Sequence, residues 1–388
     1  MKNKANQNTK YVDDIVEQVL KKGQTACGDY SICDRTPEGT TFILCDGIGS
    51  GIKANIAAVM CASRLMHLLK NDFSLYEACE CVVESMHRAR TEEIPYSVFT
   101  IARINVNGYY TVLSYEMPAP IIIEGSSAYL PEQRFFSLGY EIVGEINGSL
   151  NNRDAILLVS DGLPQAGLGQ GFRVGWTIEG VLAYVNDCLG AEKVGRVMLK
   201  GLLGEAWHLS GKTYGDDTTA ALLTCRNAKV LNIATGPPAE KSMDSDYSKN
   251  FMEQEGTKAI CGSTTAELVS RNTNIGIKAM PIAASFSQPP MYEMDGIDLV
   301  SEGAITLNQL YNIIGEDIDQ FDEFSCVTDL YELMYDADII RFSLGCANNM
   351  DHGSIAFKQM GIMPRQKIVP LIAEELMRMG KLVVINRY

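Results

Sequence analysis

Four short acidic elements in the sequence have the residue types and spacing to do chemistry. They are Gly28-Asp29-Tyr30, Asp46-Gly47-Ile48-Gly49, Ser160-Asp161-Gly162 and Gly215-Asp216-Asp217-Thr218. Asp46 and Asp161 each close an apolar run (Phe42-Ile43-Leu44-Cys45 and Ala155–Val159), and each is followed by glycine. That arrangement sets a carboxylate at a strand end while glycine lets the backbone turn. Carboxylates gathered at one sheet edge, beside an accessible backbone carbonyl, are the hard oxygen donors that Mg²⁺ or Mn²⁺ requires. A single Asp-Gly is an ordinary turn. Four such elements, each flanked by a strand, are a far more specific pattern. Competing chemistries have less support. No Cys-x5-Arg loop or Gly-x-Ser-x-Gly elbow is present, and His67, His87, His208 and His352 show no ligand spacing, so each reads as packing or surface.

The order GDY, DGIGSG, SDG, GDDTT over about residues 20–225 resembles the metal-dependent protein phosphatase superfamily, the protein phosphatase 2C type. It is most similar to the bacterial branch typified by the SpoIIE sporulation phosphatase. The resemblance implies an α+β fold: an α/β-β/α layered sandwich of two antiparallel sheets flanked by helices, with two metal ions at one end. It also implies roles. Asp46 would bridge both ions, the carbonyl of Gly47 and the carboxylate of Asp29 would hold one of them, and Asp161 and Asp216 the other. Asp217 and Gly49 would support them. The nucleophile would be a metal-bound water, with no protein nucleophile. Ser50 stands where many relatives carry histidine, which is not a direct ligand in the family pattern.

Around these motifs the chain must supply strands and helices. A short amphipathic helix is expected at 11–22, ending at Gly23, after a polar and disordered 1–10. A strand is expected at 41–45, then helices at 52–70 and about 74–90 from the spacing of Ile52, Ile56, Val59, Met60 and Leu68. Asn107-Gly108 between β-rich runs predicts a hairpin, and Ile121–Ile123, Phe135–Phe136 and Ala155–Val159 add strands. Helices at 177–189 and 192–209 and a strand at 218–225 complete a domain over 11–226.

The pattern resets near Cys225–Ala228. From Val230 strand-like and helical runs alternate, which predicts a second α/β domain over 229–388 with a mainly parallel sheet. Glycine-rich turns follow its strands: Thr235-Gly236-Pro237-Pro238, Gly262-Ser263-Thr264-Thr265, Ser301-Glu302-Gly303 and Gly345-Cys346-Ala347-Asn348-Asn349. Of these, Gly262, Ser263, Thr264 and Thr265 lie between a strand and a helix, where free N–H groups hold anions; ordinary N-cap chemistry is the plainer reading. Relatives in this branch usually carry a regulatory domain.

Composition narrows the function classes. With 388 residues, 33 Lys and Arg against 48 Asp and Glu, and a net charge of −15, the chain is a poor partner for nucleic acid or an anionic membrane. The 11 cysteines include no CxxC pair and several lie in apolar runs, as free buried thiols do. With the polar start Met1-Lys2-Asn3-Lys4 they point to a reducing, cytoplasmic compartment. No run of about 18 apolar residues is expected to span a membrane. The expected activity is therefore a phosphoserine/phosphothreonine phosphatase, acting with two Mn²⁺ or Mg²⁺ ions on a regulatory partner that resembles an anti-sigma-factor antagonist. A small-molecule metal phosphoesterase and a catalytically silent sensor are the alternatives.

Overall fold

A computed structural model describes residues 9–280, 290–317, 320–321, 325–347 and 361–388. Asn348, Asn349, His352 and the start of the chain to residue 8 lie outside the described residues. The chain divides into two compact units, residues 1–227 and 228–388.

In the first unit the described strands form two antiparallel sheets. One has the order β1 (Lys10–Val19), β11 (Thr218–Asn227), β10 (Ala155–Val159), β6 (Ile121–Glu124), β7 (Ser127–Tyr129). The other runs β2 (Asp29–Thr36), β3 (Gly39–Gly47), β4 (Ser97–Asn105), β5 (Tyr109–Tyr115), β9 (Glu141–Ser149), β8 (Arg134–Leu138). The period of two explains how an unbroken apolar run serves as a strand here. Phe42 and Leu44 face the opposite sheet and pack with Ile156, Leu158 and Leu223. Ile43 and Cys45 face helices α1 (Ile52–Lys70) and α2 (Leu75–Thr91). Leu157 and Val159 likewise face α3 (Thr177–Gly190) and α4 (Arg196–Leu209). Each strand is thus buried on both sides, at about 1.5–3 kcal/mol per large aliphatic side chain. The layers are helices, sheet, sheet, helices.

Residues 11–22 are not a helix. Their apolar positions fit helical spacing, but β1 pairs with β11 along its whole length, from Lys10 opposite Asn227 to Val19 opposite Thr218. As a strand it sends Val12 and Val16 into the inter-sheet core and Ile15 toward α4. Ten cross-strand partners outweigh a local preference that β-branched residues make weak anyway. Lys10 also begins this strand, so the polar start does not extend to it. The hairpin at Asn107-Gly108 forms as predicted, with Gly108 at φ +89° and the Asn107 side chain accepting from the Tyr109 N–H. One expectation needs amending: α1 has the length and mean hydropathy (1.2) of a membrane span. Its alanines and cysteine, Ala54, Ala58, Cys61 and Ala62, raise that hydropathy, and they are buried in the unit.

The second unit holds one sheet among its described residues, in the order β14 (Ile277–Ala279), β15 (Met291–Met294), β16 (Leu299–Ser301), β13 (Thr257–Cys261), β12 (Val230–Thr235), β17 (Ile339–Leu344), β18 (Leu382–Arg387). The five strands from β16 to β18 are parallel and β14–β15 add an antiparallel edge. Alternate residues again face opposite ways. Ile233 and Ala259 pack with α7 (Ala304–Ile313), α8 (Cys326–Asp336) and α9 (Arg365–Arg378), while Ala234 and Ile260 pack with α5 (Asp244–Glu253) and α6 (Ser263–Thr273). Strand order reverses between β12 and β17. There Gly236 and Gly345 approach so closely that a Cβ on Gly345 would stand 2.2 Å from the Gly236 carbonyl oxygen.

Candidate metal centre

The sheet pairing itself gathers the acidic residues. Asp29 opens β2 directly opposite Asp46 near the end of β3. On the other sheet, β10 and β11 are neighbours, the Ser160 N–H donates to the Thr219 carbonyl, and Asp161 and Asp216 lie just outside those strands. One hydrogen bond joins the two pairs: the buried Thr219 hydroxyl donates to Asp29 Oδ2 at 2.6 Å. Two glycines permit the close approach. A Cβ on Gly47 would be 2.0 Å from the Ala54 carbonyl oxygen, and one on Gly162 would be 2.2 Å from the Asp217 carbonyl oxygen.

The electrostatics follow from crowding carboxylates in a half-dry place. Burial, then the charges of Asp29, Asp161 and Asp216, push the Asp46 carboxyl up to about 9. Burial pushes Asp29 up to about 6 against the opposing pull of the Thr219 and Ser160 hydroxyls. Asp161 is raised too, by burial and then by Asp216. Asp29 is only 2% exposed, and its Oδ1 has no hydrogen-bond partner. A buried carboxylate oxygen without a donor, beside a carboxyl that ionises only reluctantly, is an environment in which a cation can take the proton's place. The neighbouring Cys27 thiol is pushed far up by burial and by Asp29, so it is no thiolate nucleophile.

Other groups hold this arrangement in place. Asp217 accepts from the backbone N–H of Lys21 and of Gly28, both at 2.9 Å, and so ties down the loop between β1 and β2. Asp216 accepts from Lys21 Nζ at 3.2 Å, and Gln165 Nε2 donates to Asp161 at 2.7 Å. Gln18 Nε2 donates to the Asp29 carbonyl and to Thr219. Ser50 accepts from Gln24, and Gly49 is exposed at φ +113°, contributing backbone conformation alone. As the side chains stand, no group of three or more His, Cys, Asp or Glu among the described residues is closed round a metal position. Asp216 is drawn instead to Lys21. Burial is the largest cause of the rise at Asp46, Asp29 and Asp161, and neighbouring carboxylates add to it. The donors, carboxylates with one backbone carbonyl and a buried carboxylate oxygen lacking a partner, are of the kind that divalent cations take.

Asp29, Asp46, Gly47, Asp161, Asp216 and Asp217 all come to this one end of the sandwich. Lys21, Gln165, Ser160 and Gln18 were not read from the sequence. Only Ser160 had a signal there, as the residue before Asp161. In the candidate anion loop of the second unit, Gly262 donates its N–H to Ser301 and the buried Thr265 hydroxyl accepts from the Gly236 N–H at 2.8 Å, while Ser263 and Thr264 open α6.

Residues 36–226 match the family model described as Stage II sporulation protein E (SpoIIE). The first unit carries a SpoIIE-like domain. The match begins beyond Asp29, so that residue's place in the site rests on its pairing with Asp46 and its bond to Thr219. No curated protein matches the chain. Among solved structures the SpoIIE-like domain is similar to the phosphatase domain and regulatory fragment of SpoIIE from Bacillus subtilis, at 15% identity over 56% of this chain and 64% of that one, TM-score 0.46. It is also similar to RsbX in complex with magnesium (16% identity, 55% of this chain and 95% of that one, TM-score 0.40). A third is the RsbU and RsbW domains of a Mycobacterium tuberculosis protein, at 16% identity over 63% and 70%, TM-score 0.48.

Proposed function

We propose that the first unit hydrolyses phosphoserine and phosphothreonine on a regulatory partner protein in the cytoplasm, with two Mn²⁺ or Mg²⁺ ions held by Asp29, Asp46, the Gly47 carbonyl, Asp161 and Asp216. One observation carries it. Strand pairing sets Asp29 opposite Asp46, the neighbouring β10 and β11 bring Asp161 and Asp216 to the same end, and the Asp46 carboxyl is pushed up to about 9 by burial and by the others. Divalent cations in such a site activate a water and neutralise charge on the phosphoryl group. The protein's own part is placement. Thr219 holds Asp29 by hydroxyl donation, Gln165 orients Asp161, and Asp217 fixes the loop leading into Asp29. Lys21 offsets the charge of Asp216. The free state of all 11 cysteines supports the reducing compartment.

Turnover of p-nitrophenyl phosphate and of a phosphoserine peptide, with and without Mn²⁺ or Mg²⁺, tests this reading. Activity should require the metal, and the metal should raise the melting temperature of the wild-type chain. Full turnover in excess EDTA would sink the metal mechanism. Faster turnover of a metabolite panel than of any phosphopeptide would move the substrate from protein to small molecule.

We further propose that the second unit, residues 229–388, regulates the phosphatase by binding a small ligand or a partner. Support comes from its parallel sheet with a reversal of strand order between β12 and β17, where ligands of such sheets bind.

A further inference from the structure

Helix α1 has eight exposed residues, and at about 100° per residue they fall within about 120° of one another, on a single face. Ile52, Ile56 and Met60 form its apolar line at 62%, 52% and 67% exposure. Lys53, Arg64 and Lys70 flank that line, and α1 carries no Asp or Glu. In a chain of net charge −15 an apolar and wholly basic face is against the trend. Arg64 and Lys70 touch Ser85 and Asp34, while Lys53 has no ion-pair partner among the described residues. Solvation alone explains scattered surface residues, but three large aliphatic side chains in line on one face are a patch.

This face is fixed to the metal centre. The first turn of α1 sits on Gly47 through the Ala54 carbonyl, and Asn55 Nδ2 donates at 2.8 Å to the carbonyl of Cys27, two residues before Asp29. From Ile52 to Met60 the line runs about 12 Å away from the strand ends that carry Asp29 and Asp46. We propose that this face docks the phosphoprotein substrate, by receiving a segment with an apolar stripe edged by carboxylates near the phosphorylated residue. The proposal rests on the protein-phosphatase reading above. Charge complementarity selects an acidic partner and discriminates against basic ones. A flat anionic membrane would have to lie against the adjoining α2 as well, whose exposed Glu77, Glu80 and Glu84 repel it, whereas a peptide segment need cover only α1.

Fluorescence anisotropy with the full chain tests this without any turnover, so a failure of docking and a failure of catalysis are told apart. The probes are two labelled helical peptides with the same leucine stripe, one edged by Glu and one by Lys. The wild type should bind the Glu-edged peptide at least about tenfold more tightly. Ile56→Glu and Met60→Glu should each weaken that binding about tenfold, and Lys53→Glu should shift the preference toward the Lys-edged peptide. Lys53 is exposed, so this variant folds even if an isoleucine change disturbs the helix, and its melting curve verifies that. Equal binding of both peptides by the wild type, or an unchanged preference in Lys53→Glu, overturns the proposal. So does a wild-type dimer that Met60→Glu splits, which would make the occupant a second copy. Sedimentation of the wild type, but not Met60→Glu, with phosphatidylserine vesicles would make it a membrane.

Discussion

Asp46 concentrates the chemistry of the site into one carboxyl, and its behaviour is measurable. Replacing Asp46 or Asp161 by Ala should lower turnover at saturating metal by about 1,000-fold or more. Retention of more than about a tenth of the rate by either variant would remove it from the ligand set. The fold should survive, because each change relieves repulsion in the metal-free chain. The sign with pH follows from linkage. Asp46 is pushed up to about 9 in the folded chain, so it holds its proton more tightly there than when unfolded. That stabilisation is fully present below about pH 4 and is lost as pH rises from there through about 9. With a chelator present, Asp46→Asn should therefore gain on the wild type as pH rises, by more than about 10 °C in Tm by pH 9. A gap independent of pH between 5 and 9 would mean that Asp46 is not crowded by its neighbours.

At the scale of elements, the site depends on α1 and the β1–β2 loop being seated against the sheet edges. Asp217 seats the loop, since both of its oxygens accept backbone N–H groups. Asp217→Ala leaves two donors unpaired, at about 1–3 kcal/mol each. It should lower Tm by several degrees and weaken metal binding, whereas an unchanged Tm would show that solvent replaces those bonds. Gly47 seats α1. A methyl group there meets the Ala54 carbonyl, so Gly47→Ala should push the helix outward and carry the Gly47 carbonyl with it. If α1 is also the element through which control acts, the change should appear as a weaker apparent affinity for Mn²⁺ rather than as a lower rate at saturating metal. Loss of rate at unchanged metal affinity would count against that route.

At the scale of the whole molecule, the two units have separate cores, and the six acidic-site residues all belong to the first. A chain ending at Asn227 keeps β11 and its pairing with β1 complete. It should retain metal-dependent turnover of p-nitrophenyl phosphate within about threefold of the full chain, and lose whatever response the second unit confers. A truncated chain that is folded by circular dichroism yet inactive would show that the second unit completes the active site.

Much of this was legible in the residues because it depends on local pattern. Period-two burial made β3 and β10 readable, Asn107-Gly108 announced its hairpin, and the acidic motifs announced a cluster of carboxylates because each stands at a strand end beside glycine. What failed did so where a distant partner decides. Tyr11, Val12, Ile15, Val16 and Val19 fit a helix as well as a strand. Ten partners on β11, some two hundred residues away, make the difference, and no window of the chain contains them. The same holds for Lys21 against Asp216, Thr219 against Asp29, and Asp217 holding residues 21 and 28. Residue type and spacing determined which groups are available as ligands. Only the packing of the two sheets decided which of them meet, because burial and mutual repulsion, the forces that set their proton affinities, exist only once those distant strands are side by side.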